Sequence, residues 1–241
     1  MKKTSYTLYR LTFNTLDLFF PPVCGGCEKT GSHWCVECQQ RVQILNGTVC
    51  EVCGLPQDKS GVCATCHADR PRFHALRAWT IFDGPVRNAL HKLKYSRNFS
   101  MGDALAVQMT DFVKGLNWPI DVLIPIPLGR QRMKERGYNQ AGMIAQSLAM
   151  NLDIEFAPKA LMRRKETRSQ VGLSKQERQK NVLGAFQAAG VSEKTVLVLD
   201  DVSTTGSTLS SSAEALFSSG AKDVYALTVA RALPHHGLKH V

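Results

Sequence analysis

Thr195-Val-Leu-Val-Leu-Asp-Asp-Val-Ser-Thr-Thr-Gly-Ser-Thr208 is the stretch that decides the fold. Val196 to Leu199 reads as a short buried strand. It ends on two carboxylates, Asp200 and Asp201. After Val202 comes a loop of small hydroxyl residues with one glycine, Ser203 to Thr208. Leu209, Ala213, Leu216 and Phe217 then recur at helical spacing, and Gly220 stops the helix. Loop amides and a helix N-terminus favour an anion, because their N–H groups are unpaired and the helix dipole is positive there. The two carboxylates just before the loop suit vicinal hydroxyls. A phosphate beside a diol describes a ribose 5-phosphate. A turn that merely capped its helix would need one Asp and one Ser, not this whole string. The chain has no Gly-x-x-x-x-Gly-Lys-Ser/Thr string, so the anion site is not a P-loop.

Outward from this string, strands alternate with helices. Ala78 to Phe82 reads as a strand. Asp83 and Pro85 open a helix that runs to Tyr95. Leu105, Met109, Phe112, Val113 and Leu116 trace a second helix. Asp121 to Ile126 is a buried strand closed by Pro125-Ile-Pro127, Asn139 to Asn151 is helical, and Val224 to Val229 is a late strand. The expected fold class is α/β, a mostly parallel sheet covered by helices on both faces. In such sheets ligands sit at the carboxyl ends of strands, where Pro125–Gly129 and Asp200–Thr208 both fall.

All eight cysteines lie in four Cys-x-x-Cys pairs: Cys24/Cys27, Cys35/Cys38, Cys50/Cys53 and Cys63/Cys66. Each pair can grip one tetrahedral ion through two sulfurs, and two pairs complete a Cys₄ site. Disulfides would need an oxidising compartment, and no secretion signal is present, so structural zinc is expected, one ion or two. Sequential pairing and interleaved pairing both fit the count. The short gap between the first two pairs favours sequential pairing. Some 45 residues are too few for a stable core, so the metal supplies folding energy. His33 and His67 read as solvated neighbours. Pro71 marks a boundary, giving an N-terminal helix over 1–23, a Cys-rich zinc-binding module over 24–70 and an α/β domain over 71–241.

The 241 residues carry a net charge of +10, unevenly spread. Leu128 to Lys180 holds 12 Lys/Arg against 5 Asp/Glu, which points to an anionic partner. Arg130, Arg132, Lys134 and Arg136 form a basic loop after the Pro125–Pro127 strand end. Arg163, Arg164 and Arg168 belong to a second basic segment with few apolar residues, read as a mobile loop, and Ser174 to Asn181 reads as a capped helical turn. Lys2 and Lys3 precede a segment whose Leu8, Leu11, Leu18 and Phe19 fall near one helical face. Polar residues interrupt it too often for a signal-peptide core, and no stable membrane insertion is expected.

The Asp200–Thr208 string resembles the signature of the class I phosphoribosyltransferases, which bind phosphoribosyl pyrophosphate (PRPP). The resemblance implies that Asp200 and Asp201 are the catalytic acids holding the ribose hydroxyls. It implies that Val202, Ser203, Thr204, Thr205, Gly206, Ser207 and Thr208 complete the PRPP site around the 5-phosphate. Mg²⁺ would accompany the pyrophosphate, helped by Pro127, Arg130, Arg132, Arg136, Arg163, Arg164 and Arg168, which are equally candidates for DNA contact. Further motifs follow in order. Leu18-Phe-Phe-Pro-Pro-x-Cys-x-x-Cys precedes Leu93-Lys-Tyr95, Ile124-Pro-Ile-Pro127, Arg136-Gly-Tyr-Asn-Gln140, Thr167-Arg-Ser-Gln170 and Arg178-x-x-Asn181. Together they resemble the ComF family of competence-associated proteins, in its GntX-like branch. The resemblance implies a cytoplasmic role in natural transformation or DNA utilisation, binding of PRPP and single-stranded DNA, and a DNA-uptake or helicase partner protein. Tyr138 and Trp34 are candidate stacking residues. An active phosphoribosyltransferase on a nucleobase or nucleic acid, and a PRPP-sensing regulator without catalysis, are the alternatives. No residue is identifiable as reading a base edge.

Overall fold

The computed structural model describes residues 21–45, 47–95, 100–165 and 184–233. Two five-residue helices, α1 (Val36–Gln40) and α2 (Ala64–Ala68), belong to the Cys-rich part. Then follow β1 (Ala75–Ile81), α3 (Gly84–Tyr95), α4 (Ser100–Gly115), β2 (Val122–Pro125), α5 (Arg130–Arg136), α6 (Gln140–Leu152) and β3 (Glu155–Phe156). The chain continues through β4 (Leu161–Arg163), β5 (Phe186–Ala188), β6 (Thr195–Ser203), α7 (Ser207–Ser218) and β7 (Asp223–Arg231). The sheet order is β1-β7-β6-β2-β3, and every neighbouring pair is parallel. β4 and β5 form a separate antiparallel hairpin. This is the expected α/β architecture, a mostly parallel sheet with a small N-terminal Cys-rich module.

Both faces of the sheet are buried, which is why β6 reads as a continuous apolar run from Val196 to Leu199. Successive side chains in a strand point to opposite faces. Leu197 and Leu199 join a core with Leu90, Leu93, Leu105 and Ile144, under α3, α4 and α6. Val196 and Val198 join the opposite core with Leu209, Ala213 and Leu216 of α7. That second core also contains Cys50, Val52, Cys53 and Cys66, so part of the Cys-rich module is continuous with the domain interior.

The module divides into two lobes of similar local build. Cys24 N–H donates to Lys29 and Cys50 N–H to Leu55, both at 2.8 Å. Glu28 N–H returns to Cys24 O, and Gly54 N–H to Cys50 O, both at 2.9 Å. Glu28 and Gly54 share a φ of +68°. A duplicated unit therefore underlies the repeated Cys pairs. The first lobe rests on α3, where Asn88 Nδ2 donates to Gly26 O at 2.9 Å. The second rests on β1, where Leu76 N–H donates to Val52 O at 2.7 Å. The strip between the lobes bonds β1 as well: Ile81 N–H reaches Gln43 O and Leu45 N–H reaches Trp79 O.

Three differences from the sequence reading have physical causes. β6 runs through both acids to Ser203, because backbone pairing with β7 persists as far as Ser203–Arg231. The stretch expected to be a basic loop forms α5, since Arg, Gln, Met, Lys and Glu are good helix formers and Gly137, at φ +79°, closes it in the left-handed region. Arg163 lies on β4 rather than in a loop. The helix expected over 1–23, apart from its last three residues, and the turn at Ser174–Asn181 lie outside the described residues. Among the described residues, no helix is long and apolar enough to cross a membrane.

Candidate functional site

At the carboxyl end of β6 the chain leaves the sheet, turns at Gly206 (φ +79°) and enters α7. A pocket opens there, lined by Asp200 and by Val202 through Leu209. Thr205 Oγ1 lies 2.7 Å from Ser207 Oγ and accepts the Ser207 amide at 3.3 Å, which tightens the loop. The first amides of α7 face this loop without carbonyl partners inside their helix. Glycine is needed at 206 for its backbone conformation, and its position is close to the second core: a Cβ there would sit 3.5 Å from Leu76 and 3.7 Å from Phe73.

The two acids are not equivalent. Strand alternation sends Asp200 to the α7 face, where it lines the pocket. It sends Asp201 to the α3 face, where it is 6% exposed and its carboxylate sits 2.8 Å from Lys94 Nζ. Burial pushes the Asp201 carboxyl up, but the Lys94 ammonium more than offsets this and holds it below the usual carboxylate range. Burial, then the neighbouring Asp201 charge, hold Asp200 well above that range. Asp201 N–H donates to Asp200 Oδ1 at 2.9 Å and Val202 N–H to Asp201 Oδ1 at 3.0 Å, fixing both side chains. Lys94, within the Leu93-Lys-Tyr95 motif, is thus a site-supporting residue to which the sequence reading gave no role. Continuing the strand alternation past Leu199 would have separated the two acids.

The basic residues distribute around this pocket without lining it. Pro127, Arg130, Arg132 and Arg136 follow β2, the neighbour of β6, with Pro125 in register with Leu199. Arg130, Arg132 and Lys134 are exposed, and α5 buries no residue. Arg163 stacks on Phe186 with its Cζ 5.3 Å from the ring centroid, and Arg164 donates to Gln187 at 2.7 Å, both within the β4–β5 hairpin. Arg168 lies outside the described residues. Trp34 packs against the first core and donates to Gln39, and Tyr138 donates its hydroxyl to Leu93 O; both are half-buried. Tyr95, at the end of α3, is 66% exposed, and the Arg136 guanidinium lies 5.5 Å from its ring centroid.

The cysteines gather in sequential sets, Cys24/Cys27/Cys35/Cys38 and Cys50/Cys53/Cys63/Cys66, the sulfurs of each set all within 4.8 Å of one another. The interleaved arrangement is not formed. Four sulfurs about 2.3 Å from a tetrahedral zinc lie about 3.8 Å apart. Cys24–Cys38 and Cys27–Cys35 are at 3.6 Å and Cys53–Cys63 at 3.8 Å, so both sets fit the ion. Amides aim at the sulfurs: Cys35 N–H at Cys24 and Cys63 N–H at Cys50. Burial raises the Cys24 and Cys50 thiols, yet these N–H groups outweigh it and bring each to about 6. Burial and neighbouring thiols push Cys38 and Cys66 up.

The second set sits beside two arginines. Arg77 donates to Glu51 O at 3.1 Å and approaches Cys50 O at 3.4 Å. Arg231, 2% exposed at the end of β7, donates to Cys53 O at 3.0 Å and to Ser203 Oγ at 3.3 Å.

These features can be set beside known proteins. A profile described as a double zinc ribbon domain matches residues 15–67, which include all eight cysteines. The DNA utilization protein YhgH of Shigella flexneri is 31% identical over 228 residues, 90% of this chain and 100% of the relative. The chain belongs to the ComF-type competence and DNA-utilization family. Within this family, Competence protein F of Haemophilus influenzae is 30% identical, over 87% of this chain and 90% of its own length. Among solved structures, a hypoxanthine phosphoribosyltransferase from Staphylococcus aureus aligns with a TM-score of 0.34 at 16% identity, covering 58% of this chain and 67% of that one. The ComF-type chain thus combines two structural zinc-ribbon sites with a parallel α/β sheet.

Proposed function

We propose that this chain binds PRPP with Mg²⁺ at the end of β6 and single-stranded DNA across α5, as a cytoplasmic DNA-handling protein of competence type. The observation that supports the first part is the division of the acid pair. Asp200 faces a loop of hydroxyls and amides at a helix start, while Asp201 is engaged by Lys94. Asp200 would accept hydrogen bonds from ribose hydroxyls, and the Thr204–Thr208 segment would take the 5-phosphate. Asp201 would act from behind, keeping one negative charge fixed next to Asp200. Mg²⁺ would supply charge neutralisation at the pyrophosphate.

For DNA, the exposed side chains of Arg130, Arg132 and Lys134 offer phosphate contacts, and Tyr95 offers a ring face to a base. The relatives' roles in DNA utilization and competence support this direction.

Titration calorimetry with PRPP and Mg²⁺ tests the first part. Asp200→Ala should weaken binding at least roughly tenfold, the scale of a hydrogen bond to a charged group; an unchanged affinity would refute the assignment. Anisotropy with a labelled oligothymidine tests the second. Arg130→Ala combined with Arg132→Ala should flatten the log–log salt dependence by about 0.7 per lost phosphate contact. Tyr95→Ala should cost about 1–3 kcal/mol if a base stacks there. Pyrophosphate release, measured on the same samples, separates simple binding from group transfer.

A further inference from the structure

Arg231 is a buried cation whose position the ribose-phosphate reading does not require. It ends β7, paired with Ser203 of β6 on one side and Ile81 of β1 on the other. Its side chain turns toward the second cysteine set and is 2% exposed. Among the described residues it makes no ion pair with a carboxylate. Its Nη1 reaches Cys53 O and Ser203 Oγ, and its Nε has no hydrogen-bond partner. A buried charge is costly unless an opposite charge lies close. Four thiolates around one Zn²⁺ carry a net charge of −2, and the second set fits that ion. Among the described residues the first set has no buried cation of this kind: Lys29, the charge that acts on Cys27 and Cys35, is exposed. Lys92, on α3, places its Nζ 3.5 Å from Cys24 O and also pairs with Glu28.

We propose that Arg231 is a positioning residue that ties the phosphate loop to the second zinc site. The metal-bearing cluster supplies the counter-charge that keeps the guanidinium buried. The guanidinium in turn holds Ser203, where β6 gives way to the pocket loop. Three further contacts follow the same path. Phe73 and Leu76 stand behind Gly206. Arg72 N–H donates to Ser210 Oγ at 3.0 Å in the first turns of α7. Leu76 N–H donates to Val52 O, between Cys50 and Cys53. Occupancy of the second site therefore sets the order of the loop, whereas occupancy of the first does not. The loop's role as a ligand site rests on the reading above; its mechanical tie to the zinc does not.

The test uses the full-length zinc-loaded protein and two variants. Arg231→Met keeps the volume and removes the charge; Ser203→Ala removes only the far contact. Zinc release to a chromogenic chelator is followed together with backbone hydrogen exchange. In Arg231→Met one of the two zinc ions should leave about 10- to 100-fold faster, the scale of lost outer-shell support, and the other should leave at the wild-type rate. Cys27→Ser, which disables the first site, identifies which ion is which. Amides 203–210 should exchange faster in Arg231→Met and in Ser203→Ala, but not in Cys27→Ser. In Ser203→Ala both zinc ions should stay. Wild-type release rates and unchanged loop exchange in Arg231→Met would overturn the proposal, as would equal loosening of the loop by Cys27→Ser. If Arg231→Met does not fold, Arg231→Lys serves: charge is retained, so zinc retention should recover while loop exchange stays fast. PRPP affinity is read separately, so a wild-type protein that binds no PRPP refutes the ligand reading and leaves the zinc-to-loop tie to stand or fall on exchange.

Discussion

The two cysteine lobes share a backbone but not a setting. In the first lobe, Glu28 occupies the left-handed turn at φ +68°, and its side chain runs outward to Lys92 at 2.9 Å. In the second, Gly54 occupies the same turn with the same φ, and a Cβ would lie 2.3 Å from Leu76 O. One knuckle has room for a side chain; the other is pressed against a strand backbone. The first lobe packs on α3 and α4, where a Cβ at Gly25 would meet Met101 and one at Gly26 would meet Pro85. The second contributes Cys50, Val52, Cys53 and Cys66 to the core under α7. Duplication supplied two metal-binding units, and contact with the sheet gave only one of them a place beside the pocket.

The largest effect expected from this contrast is on metal loss. Cys53→Ser should remove one zinc equivalent and strand Arg231 without its counter-charge, a defect of about 3–5 kcal/mol. For a chain of this size that is roughly 10 °C in Tm beyond the loss caused by Cys27→Ser. Differential scanning calorimetry with metal analysis on both variants checks it, and equal losses would erase the distinction between the lobes. Next in size is Gly54→Ala. A left-handed backbone with a Cβ driven into a carbonyl should cost about 2–4 kcal/mol by denaturant unfolding. Glu28→Gly, at the matching place in the first lobe, should stay within about 1 kcal/mol.

The acid pair offers a finer contrast. Asp201 titrates below the ordinary range, so it contributes stability above the ordinary carboxylate pKa that is lost as pH falls through its lowered value. Asp200 titrates above it, so stability declines as pH rises from the ordinary value toward its raised one. Asp201→Asn should therefore remove part of the acid-side loss while lowering neutral-pH stability, because Lys94 is left unpaired. Asp200→Asn should remove the second decline and leave neutral-pH stability equal or higher. Unfolding curves across pH 2–8 read both signs. The smallest effect belongs to the first lobe's exposed pair, Lys29 with Glu37. Lys29→Ala should leave Tm unchanged within measurement, as solvent screens such a pair.

Local chemistry was the part most legible in the sequence. The 195–208 string declared its strand, turn and helix because each used a different residue class. The Cys spacing declared metal ligation because knuckle geometry is short-range, but left the number of ions and the pairing to the structure. Less legible were relations between distant segments. Arg231 meets Cys53 across 178 positions, and no periodicity near either residue signals the other. Lys94 meets Asp201 only because α3 covers one chosen face of β6. The split of the acid pair was legible in principle, since alternation continues as long as a strand does, but the end of the apolar run at Leu199 concealed that the strand went on. α5 was hidden because a short helix that buries no residue has no apolar stripe.

β1 lies at one margin of the sheet, and β3, at the other, is only two residues long. The strip at Gln43–Leu45 and the turn at Val52 occupy hydrogen-bonding groups along β1 that would otherwise face outward. The cysteine module is thus also a guard against sheet-to-sheet polymerisation. Cutting the chain before β1 would not liberate a clean α/β domain. It would unveil a seven-residue, largely apolar strand with open amides and carbonyls, the kind of surface on which other copies stack. The metal lobes and the sheet are better handled as one folding unit.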